Sequence, residues 1–163
     1  MPANRMKMRF KMVHQAYNKE KMWPSRTVIL DDVDHLGMLL LESFNESKET
    51  QDYDSLQTSI SEMTQILMGK YGKLLRRASF IIMQDSRAVC ASLVTWSAQD
   101  GCPQVAFSMT HPKYMNKGMG TFLLKKSINS LLKDGYEDLI LMVNEANTPA
   151  RRIYERIGFD YVA

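Results

Sequence analysis

Cysteine is scarce. The 163 residues contain only Cys90 and Cys102, with no CxxC spacing and no histidine cluster beside them. That argues against a zinc site or a disulfide framework, and no metal is expected. Cys90 sits in an apolar run and reads as a small buried residue. No apolar stretch approaches the ~18 residues a membrane span needs. The N-terminus is charged from Arg5 onward and lacks the apolar core of a signal peptide. A cytoplasmic protein without a membrane partner is expected. Internal repeats and low-complexity tracts are absent. The dinucleotide fingerprint fails too, because Leu123 stands at its third glycine position.

What remains is ordinary for a globular chain, with 45% hydrophobic and 24% charged residues. The length is enough for a substantial core in one domain. Thirteen methionines are many; methionine fills irregular gaps and does not by itself indicate a cofactor. The net charge of +3 is unevenly spread. Arg5, Lys7, Arg9, Lys11, Lys19 and Lys21 precede residue 25 against Glu20 alone, so the rest is slightly acidic. Such an arm could touch nucleic acid or an acidic partner. A solvated edge is the plainer reading, and no nucleic-acid-binding motif accompanies it. The division expected is 1–24 as a basic extension, with an edge strand in it, and 25–163 as the main domain.

Residues 6–12 alternate apolar and basic, the period of a strand. Trp23-Pro24-Ser25 is a break, and 26–30 a short strand. Asp31 and Asp32 suit a helix start, with Val33, Leu36, Leu40 and Phe44 on its apolar face. After a polar loop at 45–54, a second helix shows Leu56, Ile60, Met63 and Leu67. Strands are expected at 79–83, 88–96 and 104–110. A glycine-containing loop then leads to a helix bearing Leu123, Leu124, Ile128 and Leu131. A buried strand at 139–143 precedes a last helix with Pro149 at its start and Gly158 at its end. Residues 159–162 form a final strand. The order β-α-α-β-β-β-α-β-α-β implies a mixed sheet flanked by helices.

Two segments carry the chemistry. The first, from Thr110-His111-Pro112 to Gly118-Met119-Gly120-Thr121, joins a strand to a helix. Unpaired amides and the positive dipole end make such a helix start an anion site. Gly118 and Gly120 let a phosphate approach closely, and Lys117 and Thr121 could add donors. The second is Asn147-Thr148-Pro149-Ala150-Arg151-Arg152-Ile153-Tyr154-Glu155-Arg156-Ile157-Gly158-Phe159.

The first run resembles the acetyl-CoA signature of the GNAT N-acetyltransferases, in which Pro112, Gly118 and Gly120 match in place. Thr110 stands where valine is usual, and Met115 where arginine or glutamine is. The second run resembles the family's closing motif at Asn147, Ala150, Ile153, Tyr154, Gly158 and Phe159. The resemblance covers about 104–163. It implies an α/β (α+β) GNAT fold, a central mixed, mostly antiparallel twisted sheet flanked by about four helices. It also implies an N-acyltransferase that uses acetyl-CoA (coenzyme A) as donor and a small-molecule or peptide amine as acceptor. Cofactor binding then falls to Ser108, Met109 and Thr110, to Met115, Asn116, Lys117, Gly118, Met119, Gly120 and Thr121, and to Asn147 and Tyr154. Tyr154 would be catalytic, protonating the leaving thiolate. A phenol (pKa ~10) can serve a thiolate (~8.5) if well positioned.

The strand 104–110 has no carboxylate, so the general base falls among Glu145, Glu42, Asp52 and His111. The alternative is a non-catalytic acyl-CoA-binding or interaction module. Family members usually continue past Gly-Phe into a further strand, and residues 6–12 are a candidate to fill that edge. An uncovered edge would favour a homodimer.

Overall fold

The computed structural model describes residues 4–45 and 55–163. The side chain of Phe44 and the stretch 46–54, with Asp52, lie outside the described residues. The strands are β1 (Arg5–Lys11), β2 (Arg26–Thr27), β3 (Phe80–Gln84), β4 (Arg87–Ser97), β5 (Cys102–Thr110), β6 (Asp138–Asn144) and β7 (Asp160–Tyr161). The helices are α1 (Val33–Asn45), α2 (Leu56–Leu67), α3 (Met119–Lys133) and α4 (Thr148–Ile157). One seven-stranded sheet runs in the order β2-β3-β4-β5-β6-β1-β7. Every pairing is antiparallel except β5 with β6, the two strands joined through α3.

Alternation along the strands divides the core. Ile81 faces α1 and α2 together with Leu36, Leu40, Met63, Leu93 and Met109. Its neighbours Phe80 and Ile82 face α3, against Phe122 and Leu123. Further along the α3 face, Val105, Leu124, Ile128, Leu141 and Phe159 form one cluster with Tyr154 against it. With both faces covered, β4 is buried almost throughout.

The strand at residues 5–11 is not an edge. It pairs with β6 along its whole length, from Arg5↔Asn144 to Lys11↔Asp138, and carries β7 on its other side. Met8 and Phe10 are buried in the core. Among the described residues the sheet ends at the two-residue β7, which meets β1 at Met8↔Tyr161 and Arg9↔Asp160. The basic residues are likewise not a free arm. Lys7 pairs with Asp100 at 2.7 Å and Arg9 with Asp138 at 3.4 Å. The segment that follows lies over α3, with Gln15 and Tyr17 bonded to Asn129, and Tyr17 and Trp23 against Phe122.

The expected face of α2 is buried at Met63 and Leu67, half-buried at Ile60, and extended by Ile66. Leu56 is exposed. Asp32 caps the helical turn of Leu30–Asp32 that runs into α1. It turns back to accept from Ile29 N–H at 2.9 Å and from Arg26 at 2.7 and 2.8 Å. Burial alone would raise its carboxyl, but these bonds override that and hold it below the usual carboxylate range. A depressed folded value adds stability above the unfolded pKa of ~3.9 that disappears as pH falls below it. Asp32→Asn is expected to cost about 1–2 kcal/mol at neutral pH. In urea titrations at successively lower pH, that difference should shrink as the folded-state carboxyl becomes protonated.

Candidate active site

β5 sets the geometry. Its register with β4 slips between Leu93↔Phe107 and Val94↔Val105, leaving Ala106 as an extra residue. The bulge reverses the side-chain alternation, so Val105 lies on the α3 face and Phe107 on the α1/α2 face. His111 N–H bonds to Val89 C=O at 2.8 Å. In an antiparallel ladder this makes Met109–Ala91 and Phe107–Leu93 the hydrogen-bonded pairs. The backbone groups of Ser108 and Thr110 therefore point away from β4. They meet no strand there, because β6 pairs with β5 only at Gln104↔Ile140 and Val105↔Leu141.

The divergence of β5 from β6 opens a cleft of about 480 Å³. Its walls include Phe107 and Ser108 from β5, Met142 and Asn144 from β6, Asn147, Ala150 and Tyr154, together with Tyr71 and Arg5. Asn147 caps α4, accepting from Ala150 N–H at 3.3 Å. The half-buried Tyr154 ring stands edge-on to Phe159 with centroids 5.8 Å apart.

A second cavity of about 410 Å³ lies beside the first along α4, which lends it Ile153, Arg156 and Ile157. Asn116, Gly118 and Thr121 line it from the loop and start of α3, and Lys21 and Lys125 add positive charge. No carboxylate is among its lining residues. Gly118, left-handed at φ 90°, precedes the helix. The first intrahelical bond is Phe122 N–H to Gly118 C=O, so the amides of Met119, Gly120 and Thr121 have no partner within the helix. Lys117 is exposed, its Nζ 5.8 Å from the Tyr114 ring centre. Such a cationic pocket at a helix start suits an anion such as a pyrophosphate.

The structure thus brings Ser108, Asn147 and Tyr154 to one cleft, and Asn116, Gly118 and Thr121 to the adjoining cavity. It does not bring Met109 there. That side chain is buried against α1 and α2, and its backbone pairs with β4. Met119 is likewise buried, leaving only its amide to the site. Met115 has its side chain exposed and its N–H turned to Pro112 C=O at 3.5 Å. The cationic wall of Lys21, Lys125 and Arg156 had no motif to signal it.

None of the described base candidates reaches the cleft. His111 is buried, accepting at Nδ1 from Lys113 N–H at 3.1 Å while Nε2 meets the Glu42 carboxylate. Glu42 borders a different cavity between α1, α2 and the β3–β4 turn. Glu145 is tied to Asn4 at the end of the sheet. Among the described residues, no group of three His, Cys, Asp or Glu side chains could hold a metal ion, and no helix is long and apolar enough to cross a membrane. Both cysteines are buried. Burial pushes the Cys90 thiol up to about 11 and raises Cys102. A thiol reagent at pH 8 is expected to label neither in the native protein and both after unfolding.

Residues 86–163, just under half of the chain, match the family described as FR47-like protein. N-alpha-acetyltransferase 30 of Xenopus laevis is 33% identical over 55 residues, which are 34% of this chain and only 20% of that protein. A GNAT-family structure from Novosphingobium aromaticivorans superimposes with TM-score 0.67 at 19% identity, over 98% of this chain and 60% of that one. The PaiA N-acetyltransferase of Thermoplasma acidophilum, solved in complex with coenzyme A, gives 0.66 at 18% identity, over 84% and 89%. The ribosomal-protein-S18-alanine N-acetyltransferase of Escherichia coli gives 0.65 at 20% identity, over 87% and 80%. At such identities the structural likeness speaks for the fold. What these likenesses establish is that the chain has the fold of the GNAT acetyltransferases, with its second half similar to the FR47-like family.

Proposed function

We propose that this protein is an acyl-CoA-dependent N-acyltransferase that moves an acetyl group from acetyl-CoA to a primary amine. The observation that carries the reading is the juxtaposition of the β5–β6 cleft with the cationic pocket at the start of α3. A ligand with an amide-bearing arm and a pyrophosphate needs both. The unpaired amides of Met119, Gly120 and Thr121, with Lys21, Lys125 and Arg156, hold the phosphates. The outward backbone of Ser108, the Thr110 N–H and the Asn147 amide hold the peptide-like arm, while the Thr110 C=O accepts from Ser43 Oγ at 3.2 Å. A thioester bound there supplies an electrophilic acyl carbon and a thiolate leaving group. Backbone donors at Ser108 stabilise the negative charge that develops on the acyl oxygen. Tyr154, packed on Phe159 in the same cleft, gives its phenolic proton to the departing sulfur.

The N-acetyltransferase names of the related proteins support an amine acceptor, whether a small molecule or a peptide N-terminus. The expected setting is the cytoplasm. The test is release of CoA thiol from acetyl-CoA with a panel of amines, with the acetylated product identified by mass spectrometry. The expected result is release that requires an amine. Absence of acetylated product with every amine would contradict the reading.

A further inference from the structure

We propose that Tyr71, held by Glu62, takes the proton from the acceptor amine. The inference rests on the acyltransferase reading and supplies the base that reading lacks.

Three side chains lining the cleft can ionise: Arg5, Tyr71 and Tyr154. Arginine stays protonated at any relevant pH. Tyr154 lies with the α3 cluster. Tyr71 comes from the opposite face, its ring 6.4 Å from that of Phe107, which belongs with α1 and α2. The two phenols therefore come to the cleft from opposite faces of the sheet.

Tyr71 is built in. Its C=O accepts from Gln104 Nε2 at 3.0 Å and from Thr95 Oγ1 at 3.2 Å, tying it to β5 and β4. Its hydroxyl donates to Glu62 Oε1 at 3.0 Å. Lys70 Nζ donates to Glu62 Oε2 at 2.8 Å, which leaves Oε1 for the phenol. A phenol that donates to a carboxylate keeps lone pairs able to accept from an incoming N–H. Burial, with the Glu62 bond, raises Tyr71 above its ordinary value, so it serves as a neutral relay and not as a standing phenolate.

In this relay the bound ammonium passes one proton to Tyr71 Oη as the phenol passes its own to Glu62 Oε1, and Glu62 later loses it to solvent. The free amine then forms the N–C bond as the C–S bond breaks. The nitrogen's second proton leaves to solvent, and the sulfur takes the proton of Tyr154, which solvent restores.

Tyr71→Phe and Glu62→Gln test this with acetyl-CoA and three probe amines: an unblocked peptide, lysine and spermidine. Tyr71 is catalytic in this scheme and Glu62 is a positioning residue acting through it. For an amine that wild type accepts, kcat/KM at pH 7 is expected to fall about 100-fold in both variants. Calorimetric affinity for acetyl-CoA should stay unchanged. The deficit should narrow as pH approaches the amine's own pKa, ~8 for a peptide N-terminus and ~10.4 for a lysine side chain, because solution then delivers the free base. Wild-type rates in both variants, a deficit constant with pH, or a parallel loss of acetyl-CoA binding would overturn the inference while leaving the acyltransferase reading intact. A wild type that acetylates no amine would overturn both.

Discussion

Tyr154→Phe is expected to bind acetyl-CoA as wild type does and to turn it over about 100-fold more slowly. Only the hydroxyl is lost. The ring that packs edge-on to Phe159 and against the α3-side cluster remains, so the fold and the cleft wall are unchanged. The loss belongs in kcat, because the proton is needed only as the sulfur departs. Stopped-flow thiol release with saturating acetyl-CoA and a productive amine measures it, beside a calorimetric titration of the same preparation. If affinity fell in step with turnover, Tyr154 would be a binding residue and its assignment as general acid would be wrong.

Gly72→Ala should have the largest effect on stability. Gly72 adopts φ 106°, and a Cβ there would land on the Trp96 carbonyl oxygen. The obstacle is backbone in a buried strand, so no side-chain rotation relieves it. Left-handed strain and displacement of the 71–75 segment together should cost about 3 kcal/mol or more, which lowers Tm by roughly 10 °C in a chain of this size. The same segment fixes Leu75 N–H to Val94 C=O at 2.8 Å and Trp96 N–H to Lys73 C=O at 2.9 Å. Tyr71 would move with it, and amine transfer should fall further than instability alone explains. Gly135→Ala is the control. Its φ is 92° but nothing lies within 4 Å of the added methyl, so it should cost only about 1 kcal/mol. Calorimetric melting of the two variants gives the comparison, and equal melting points would mean that the 71–75 segment does not pack as described.

The parts of the site legible in the sequence are those encoded locally. Pro112, Gly118 and Gly120 shape one loop and helix start, and Asn147 through Phe159 shape one helix with its cap. Each group acts within a few residues of its own turn, so spacing carries the information. The fold was legible for a related reason, since periods of two and near four mark most of the elements. What spacing cannot carry is the neighbour. Residues 5–11 read as a strand, but only the tertiary structure puts them between β6 and β7. Met109 falls outside the cleft because its backbone pairs with Ala91 of β4, and spacing does not show which residues of β5 do so. Tyr71 and Glu62 lie nine residues apart across the end of α2, and Lys21 reaches the cationic pocket from the segment before β2. These contacts are made by folding, and no local pattern announces them.

The central claim is that the cleft and the start of α3 form one acyl-CoA site. Calorimetric titration of acetyl-CoA into wild type and Gly120→Glu tests it most directly. A Cβ at position 120 meets only Thr110 Oγ1 at an ordinary 3.5 Å, so the fold has room for it. An acid in the first turn of a helix favours the helix dipole, which separates loss of binding from unfolding. Saturable binding to wild type, abolished by Gly120→Glu at unchanged Tm, is the result expected. No binding to wild type at millimolar acetyl-CoA, or equal binding by both proteins, would contradict the site.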